Sequence, residues 1–185
     1  MYSVRENLQT LVNPISMSLT PRHATQCLKE QGRNSVWLLE LPNGSIQVLK
    51  QWSLTPWLAV KLLLGISQPQ RQCRGTRRLK RAGVPTSNMP RLGLSRCGLI
   101  PQLTLTVSYI EGTPCLELLQ QNAIDDDKAI HIGRQLGQAV RRIADAGFFN
   151  RDIKLSNVII GLGQRPEVFI IDPVGLRVGS SVYAA

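Results

Sequence analysis

Residues 149–160 read Phe-Asn-Arg-Asp-Ile-Lys-Leu-Ser-Asn-Val-Ile-Ile, and residues 168–175 read Val-Phe-Ile-Ile-Asp-Pro-Val-Gly. The first segment sets the carboxylate, ammonium and amide of Asp152, Lys154 and Asn157 between apolar residues. In the second segment Asp172 directly follows an apolar run with the length of a short buried strand. Such a combination is typical of phosphoryl-transfer sites, where the protein supplies positioning and electrostatic stabilisation more than covalent chemistry.

Each of these four polar side chains has a role that its chemistry predicts. We expect Asp152 to accept the proton of an attacking hydroxyl, and Lys154 to stabilise the phosphoryl group during transfer. Asn157 and Asp172 offer a neutral and a charged oxygen ligand, and Mg²⁺ prefers hard oxygen ligands. The sequence therefore predicts catalytic Asp152 and Lys154, and a magnesium site at Asn157 and Asp172.

These two segments resemble the catalytic loop and the metal-binding segment of the protein-kinase-like superfamily, whose patterns read His-Arg-Asp-x-Lys-x-x-Asn and Asp-Phe-Gly. The matching residues are Arg151, Asp152, Lys154, Asn157 and Asp172. Asn150 stands where the family has His, and the four residues 172–175 replace Asp-Phe-Gly. Because Pro173 fixes its own backbone, we expect this segment not to switch between active and inactive positions.

The composition predicts a globular protein with anionic partners. Apolar residues make up 43% of the 185 residues, and the net charge is +10 with a pI near 10.1. Candidate partners are therefore a nucleotide, a phosphorylated glycan, an anionic membrane surface or nucleic acid. Nucleic acid ranks last, because no stacking aromatic residues alternate with the basic ones.

The cysteines and the apolar segments predict the cellular compartment. The four cysteines are far apart and show no zinc-site or disulfide spacing, which favours reduced thiols in the cytosol; they are Cys27, Cys73, Cys97 and Cys115. Polar residues interrupt positions 1–20, so no secretory signal is expected there. The most lipid-like run, Leu54 to Ile66, is too short to span a bilayer. We therefore expect a cytoplasmic protein, with possible peripheral contact with the inner membrane.

The segment 36–50 predicts a β-hairpin, with a Pro42-Asn43-Gly44 turn between two apolar runs. The resemblance makes Lys50, near the end of the second strand, the lysine that pairs with the α- and β-phosphates of ATP. Without the downstream motifs, a solvent-facing lysine would be the alternative. Residues 29–35 would form the loop that covers the phosphates, although they contain a single glycine.

Two helices are expected after the hairpin. Leu58 to Leu64 is apolar, so we expect it to pack in the core, with an interfacial patch of Trp and Lys61 as the alternative. Residues 68–85 predict a basic helix that ends at Gly83 and Pro85. The alternative interpretation of its basic residues is a solvent-exposed face with no specific partner. Its basic residues are Arg71, Arg74, Arg77, Arg78, Lys80 and Arg81.

This basic helix and the Leu-x-x-Ala-Gly-Val-Pro run after it resemble the regulatory helix of the bacterial lipopolysaccharide (Kdo/heptose) kinase family, a resemblance that covers roughly residues 35 to 177. In that family the helix offers a Glu to the strand lysine, and Gln72 is the nearest match. A neutral amide can hydrogen-bond Lys50 but supplies no counter-charge. Either another acid replaces the Glu, or the ion pair is missing and catalysis is impaired.

Residues 103–112 alternate as a strand, and the resemblance makes Tyr109 to Gly112, including Glu111, the hinge whose backbone binds adenine. Asp125 opens a helix that runs to about Ala146 and ends at Gly147. Its expected apolar stripe consists of Ile130, Ile132, Leu136, Val140 and Ile143. We expect His131 in this helix to be a packing residue and not a ligand.

The fold expected from these features is α+β: a minimal, two-lobed protein-kinase-like fold with a small antiparallel N-lobe sheet and a truncated helical C-lobe. We divide the chain into an N-terminal extension at 1–22, an N-lobe at 23–111 and a reduced C-lobe at 112–185. Only thirteen residues follow Asp172, so we expect no peptide-binding platform and a small or membrane-presented acceptor.

The expected function is ATP- and Mg²⁺-dependent phosphorylation of a hydroxyl, and the resemblance implies a lipopolysaccharide-type sugar, an anionic glycan or lipid-linked sugar, as acceptor. One rival is a small atypical protein Ser/Thr kinase. Another is a pseudokinase, which would keep the fold as a binding or scaffold module. A basic nucleic-acid-binding domain is the third rival.

Overall fold

The computed structural model describes residues 24–32, 34–97, 99–161 and 166–179. The expected extension at 1–22 lies outside the described residues. The strands are β1 (Ala24–Gln31), β2 (Asn34–Glu40), β3 (Ile46–Ser53), β4 (Arg91–Cys97), β5 (Ile100–Ser108), β6 (Gly112–Pro114), β7 (Phe148–Asn150), β8 (Val158–Gly161), β9 (Val168–Ile170) and β10 (Leu176–Val178). The helices are α1 (Pro56–Leu63), α2 (Gln68–Arg81), α3 (Cys115–Gln120) and α4 (Asp126–Asp145), and a 3₁₀ turn covers Leu155–Asn157.

The N-terminal half forms a five-stranded antiparallel sheet in the order β1-β2-β3-β5-β4. The predicted hairpin is present: Asn43 caps the turn by accepting from the Ser45 amide at 3.1 Å, and Gly44 adopts a φ of +76°. The strand expected over 103–112 is β5, which ends at Ser108. Pattern reading missed β4, whose alternating residues are mostly exposed because it is an edge strand.

Helix α2 is the predicted basic helix, and its start is fixed by a capping box. The Ser67 hydroxyl accepts from the Gln70 amide while the Gln70 side chain reaches back to the Ser67 amide, each at 3.4 Å. The core prediction for α1 is wrong, because α1 contains no buried residue. The Gln70 side chain of α2 donates to the Leu62 carbonyl of α1 at 2.9 Å, while Trp57, Val60 and Leu63 of α1 are exposed.

Helix α4 begins at the Asp125 cap and ends before Gly147, as predicted. A hydrogen bond and ion pair with Lys128 lower the pKa of the Asp125 carboxyl. The buried stripe is Ile132, Ala139 and Ile143, with Leu136 partly buried. The predicted stripe members Ile130 and Val140 are exposed, since Ile130 lies about 150° and Val140 about 70° around the helix from the centre of the buried face. The packing role expected for His131 is also wrong, because His131 is exposed and contacts Gln135.

Two clusters form the core of the second half and join it to α2. One lies within that half and contains Cys115, Ile132, Val158, Ile160 and Val168. The other links α2 to α4, β9 and β10 and contains Leu79, Val84, Ala139, Ile143, Ile170 and Leu176. Helix α2 comes before the boundary that we predict at 111/112, yet it packs against elements that come after it. The boundary itself stays a prediction.

None of the helices in the described ranges combines the length and the apolar composition that a bilayer crossing requires.

Candidate active site

Lys50 lies where three elements meet. It is on β3, with Val36 of β2 and Leu105 of β5 opposite it in the sheet. Its Nζ atom lies 2.9 Å from Oδ1 of Asp172 and donates to Oε1 of Gln72 at 3.2 Å. The side chains of Lys50 and Asp172 are 17% and 32% exposed, so solvent screens this ion pair only in part. The lysine thus joins the sheet, α2 and the segment after β9.

Asn157 and Asp172 come together because β8 and β9 are antiparallel neighbours. Asn157 directly precedes β8, and Asp172 follows shortly after the end of β9. The Ile171 amide donates to the Asn157 carbonyl at 2.9 Å, which extends the pairing to the two polar residues. Asp172 has a φ of +52°, a left-handed conformation that costs a non-glycine residue about 1–2 kcal/mol. Packing around Asp172 must maintain this conformation.

The loop that carries Asp152 is held by side-chain to backbone hydrogen bonds. Asn150 accepts from the Asp152 amide at 3.0 Å, and the Asn157 side chain donates to the Asp152 carbonyl at 3.3 Å. The Asp152 carboxylate itself stays 49% exposed, with the Lys154 ammonium 3.6 Å away. Asn150 therefore supports this loop and leaves the carboxylate accessible.

Gly175 lets the two motif segments approach each other. A Cβ atom at this position would lie 2.7 Å from the Cβ of Asp152 and 3.0 Å from Oδ1 of Asn150. The Arg151 amide also donates to the Gly175 carbonyl at 3.3 Å. Any side chain at 175 would push the loop away, so the last residue of Asp-Pro-Val-Gly has a steric reason to be glycine.

A cleft of about 270 Å³ opens between the sheet and the β8–β9 hairpin. One end is apolar, whereas the other end carries the lysine, the two amides and the carboxylate described above. The residues that line it are Leu28, Val36, Val48, Lys50, Gln72, Ser87, Val107, Ser108, Tyr109, Ile110, Asn157, Ile159, Ile171 and Asp172. Apolar walls that face each other suit a flat, hydrophobic ligand group, and the polar end suits an anionic one.

The structure brings five of the eight predicted site residues to this cleft: Lys50, Gln72, Tyr109, Asn157 and Asp172. Asp152 and Lys154 lie on the adjoining loop, linked to the cleft through the Asn157 hydrogen bond. Glu111 does not line the cleft, and its residue is exposed. Its carboxylate is therefore not a cleft ligand, although the prediction for the hinge concerns the backbone.

Sequence reasoning missed the apolar walls of the cleft. Val48 was identifiable, because it is two residues from Lys50 and so shares its face of the strand. Val36 follows from the hairpin register, in which it pairs with Lys50. Ser87 and Ile171 carry no local signal, since only the path of the chain after α2 and after β9 places them here.

A second, more polar cavity of about 250 Å³ shares Val36, Lys50 and Asp172 with this cleft and is lined in part by the β1–β2 hairpin. It is lined by Lys29, Gln31, Asn34, Ser35, Val36, Lys50, Gln51, Trp52, Gln68 and Asp172. Residues from the expected phosphate-covering segment at 29–35 therefore line a cavity that Lys50 and Asp172 also line, and their role over the phosphates stays a prediction. Arg33 of that loop lies outside the described residues.

The donor set suits magnesium better than a transition metal. The described residues include no group of three or more His, Cys, Asp or Glu side chains that could hold an ion. Mg²⁺ in phosphoryl-transfer sites needs only one or two protein oxygens, because waters and phosphate oxygens complete its octahedron. Asp172 and Asn157 meet that requirement.

Burial raises the pKa of the Cys73 and Cys115 thiols, which makes them poor nucleophiles at neutral pH.

The antiparallel sheet, the lysine paired toward α2, and the two packed motif loops define a protein-kinase-like fold. The chain is similar to the crystal structure of WbdD, with a TM-score of 0.58 and 14% identity over 86% of this chain and 34% of that one. It is also similar to Rad53 residues 1–466 in complex with AMP-PNP, with a TM-score of 0.56 and 19% identity over 82% and 38% of the two chains. The fold prediction is thereby confirmed.

The chain spans between a third and two fifths of the length of these two structures, and at such identities the likeness concerns the fold alone. No protein-family model and no curated protein sequence matches the chain.

Proposed function

We propose that this protein is a kinase that uses ATP and Mg²⁺ to phosphorylate a hydroxyl group, with a lipopolysaccharide-type sugar as acceptor. The observation that supports it most strongly is the 270 Å³ cleft, which combines apolar walls with a lysine, two amides and a carboxylate. A nucleotide has the same division into a flat base and an anionic polyphosphate. The adenine would lie between the walls, with the backbone at Tyr109 to Gly112 as its hydrogen-bonding edge.

Lys50 would bind the α- and β-phosphates, and Asp172 and Asn157 would hold Mg²⁺. Bound there, the ion neutralises phosphate charge and orients the phosphates. Lys50 would then exchange its present carboxylate partner for phosphate oxygens, while Gln72 keeps the ammonium in place through its 3.2 Å hydrogen bond. Lys50 thus has two partners, Gln72 and Asp172, and the contact with Asp172 would break when nucleotide binds.

Asp152 would accept the proton of the acceptor hydroxyl, and Lys154 would stabilise charge on the transferring group. Both side chains are about half exposed or more, so a sugar attached to a larger carrier can reach them. An anionic acceptor suits the net charge of +10. We also propose a cytoplasmic location, where ATP is available, at the periphery of the inner membrane.

A pseudokinase is the second candidate, and one observation favours it. The partner of Lys50 on α2 is a neutral amide, so Asp172 is the counter-ion of the lysine. If this ion pair persisted, Asp172 would hold no metal, and the fold would serve as a binding module. A small atypical protein Ser/Thr kinase is the rival that differs in its acceptor, which would be a protein hydroxyl instead of a sugar hydroxyl.

Calorimetric titration of AMP-PNP, with and without Mg²⁺, tests the nucleotide half of the proposal. We expect binding that Mg²⁺ strengthens by roughly tenfold or more in the parent protein, since phosphate charge is otherwise uncompensated. Asp172→Ala should abolish the Mg²⁺ effect. Asp145→Ala, which removes an exposed carboxylate from the end of α4, is the matched control and should keep it.

Radiolabelled ATP with a lipopolysaccharide core sugar, or with no acceptor, then tests the transfer. We expect sugar labelling that Asp152→Ala reduces by about 10²–10⁴-fold while AMP-PNP binding stays. Nucleotide binding that is indifferent to Mg²⁺ and to Asp172→Ala would refute the kinase and leave the pseudokinase. Labelling of the protein itself, with no labelled sugar, would favour the protein kinase.

A further inference from the structure

Helix α1 presents an apolar surface that none of the described residues covers. Trp57 is 65% exposed, Leu63 is 88% exposed and Leu64 is 65% exposed, and Val60 between them is 43% exposed. Full burial of one such side chain is worth about 1.5–3 kcal/mol, so leaving several of them in water on one short helix is unfavourable. Clustered exposure of this kind marks an interaction surface, unlike scattered single residues.

A second group of exposed apolar residues lies at the same end of the sheet. Leu99, in the turn between β4 and β5, is 99% exposed, and Ile100 is 51% exposed. The chain leading into α1 is tied to the start of β5, because the Leu54 amide donates to the Pro101 carbonyl at 2.9 Å. We call α1 together with Leu99 and Ile100 the apolar end.

The chain segment that contains the apolar end carries charge of one sign. Residues 41–110 contain ten Lys and Arg and no Asp or Glu, whereas the remaining residues contain twelve basic and twelve acidic side chains. The whole net charge of +10 therefore arises from the segment that includes the apolar end. Within it, the Lys61 ammonium lies over the Trp57 ring at 5.0 Å from the centroid, and the Arg74 guanidinium contacts the Gly65 carbonyl just after α1.

We propose that the apolar end docks this protein on an anionic lipid bilayer. Leu63, Leu64 and Leu99 would enter the acyl boundary, and the Trp57–Lys61 pair would lie at the headgroups, where amphipathic rings and ammonium groups are favourable. The exposed basic residues of α2 and β4 would meet the anionic headgroups, each worth about 1 kcal/mol near the surface.

A bilayer matches both properties of this surface at once. A polyanion such as nucleic acid would meet the basic residues but would leave the exposed leucines in water. A second copy of the chain would cover the leucines but would bring two segments of like charge together. The docking needs no nucleotide and no catalysis, so it stands or falls separately from the proposed kinase activity.

Vesicle flotation with the full chain tests the docking, using phosphatidylcholine vesicles with and without phosphatidylglycerol. We expect flotation with the anionic vesicles that weakens as salt is raised, because the Debye length shortens. Leu63→Gln/Leu64→Gln should lower the partition coefficient by roughly tenfold or more. Leu116→Gln/Leu119→Gln on α3 is the matched control, since those leucines are also exposed, and it should leave partition unchanged.

Quenching of tryptophan fluorescence by brominated lipids gives a second readout that needs no destabilising change. Of the tryptophans in the described residues, Trp37 is buried and Trp52 is partly buried, so the lipid-accessible signal should come from Trp57. We expect quenching in the parent and its loss in Trp57→Phe, which keeps an apolar ring and should still float.

Three results would overturn the docking proposal. The first is the absence of flotation with anionic vesicles, which would leave residues 1–23 or a second copy as the occupant of the apolar end. The second is flotation that Leu63→Gln/Leu64→Gln leaves unchanged in a folded variant. The third is binding to an oligonucleotide that competes fully with vesicles and does not depend on these leucines.

Discussion

At the scale of single residues, the contacts of Lys50 decide how the site would work. Its amide partner, Gln72, is 3% exposed and supplies a hydrogen bond without charge, so Asp172 carries the one carboxylate that pairs with the lysine among the described residues. Because the cleft is partly dry, the Lys50 ammonium attracts its single counter-charge, the Asp172 carboxylate, strongly. Phosphate and metal must therefore compete with the Lys50–Asp172 pair, which predicts weak nucleotide binding.

Gln72→Glu tests this competition. The new carboxylate would sit 3.2 Å from the lysine in place of the amide oxygen, and it would share the charge of Lys50 and release Asp172 for the metal. We expect Mg²⁺-dependent affinity for AMP-PNP to rise by about three- to tenfold, measured by calorimetry.

Gln138→Glu is its control, because it adds the same charge on an exposed position of α4. An equal rise in affinity in both variants would mean that the change in net charge, and not the contact with Lys50, causes the effect. An unchanged affinity in a folded Gln72→Glu protein would mean that Asp172 is already available to the metal.

At the scale of elements, α2 is fixed to the motif segments from two directions. Gly75 lies against the carbonyl of Pro173, so close that no Cβ atom fits between them. One turn later, Arg78 donates to the Leu176 carbonyl at 2.8 Å and stacks over the Phe148 ring at 5.5 Å. This helix therefore cannot rotate without moving the segment that carries Asp172, which fits the expectation that Pro173 opposes switching.

Gly75→Ala measures how tight this contact is. Alanine is normally favoured over glycine inside a helix by about 1 kcal/mol, yet here its methyl group would strike the Pro173 carbonyl. We expect a net loss of about 1–3 kcal/mol in the free energy of unfolding, by chemical denaturation, and weaker Mg²⁺-dependent nucleotide binding.

Gly137→Ala in α4 is the matched control, because a Cβ at that helical position meets nothing within 4 Å. It should stabilise the protein by roughly 0.5–1 kcal/mol. Stabilisation of similar size in both variants would contradict the close packing of α2 on Pro173.

At the scale of the whole molecule, the charge is segregated along the chain. Ten basic and no acidic residues lie in 41–110, and three of the four ion pairs in the described residues involve side chains about half exposed or more. Exposed pairs contribute little, whereas repulsion within the basic segment is long-range. Self-repulsion should therefore outweigh surface attraction at low ionic strength.

We expect the melting temperature to rise by roughly 2–4 °C as salt increases from a few mM to about 0.15 M, where the Debye length is about 8 Å. Differential scanning fluorimetry measures this directly. Arg77→Gln/Arg81→Gln, on exposed positions of α2, should reduce the rise. Arg134→Gln/Arg141→Gln on α4 should reduce it less, and a melting temperature that falls with salt would contradict the argument.

Local sequence determined the parts of this protein that depend on neighbours in the chain. The Asn43-Gly44 turn, the Ser67 and Asp125 caps and the glycine after α4 are signals that a few residues carry, because capping and turn geometry are local. The order of Asp152, Lys154, Asn157 and Asp172 also indicated a kinase-like site, since those roles need fixed spacing along two loops.

Only the tertiary structure decided which residues face each other across the fold. Asp172 as the counter-ion of Lys50 is a contact across 122 positions, and the outward face of α1 depends on what packs beside it. An apolar run reads the same whether it is buried or exposed, and hydrophobicity is non-directional. That is why the pattern of α1 predicted a core helix, and the fold instead placed its leucines at the surface, shortly before the densest run of basic residues in the chain.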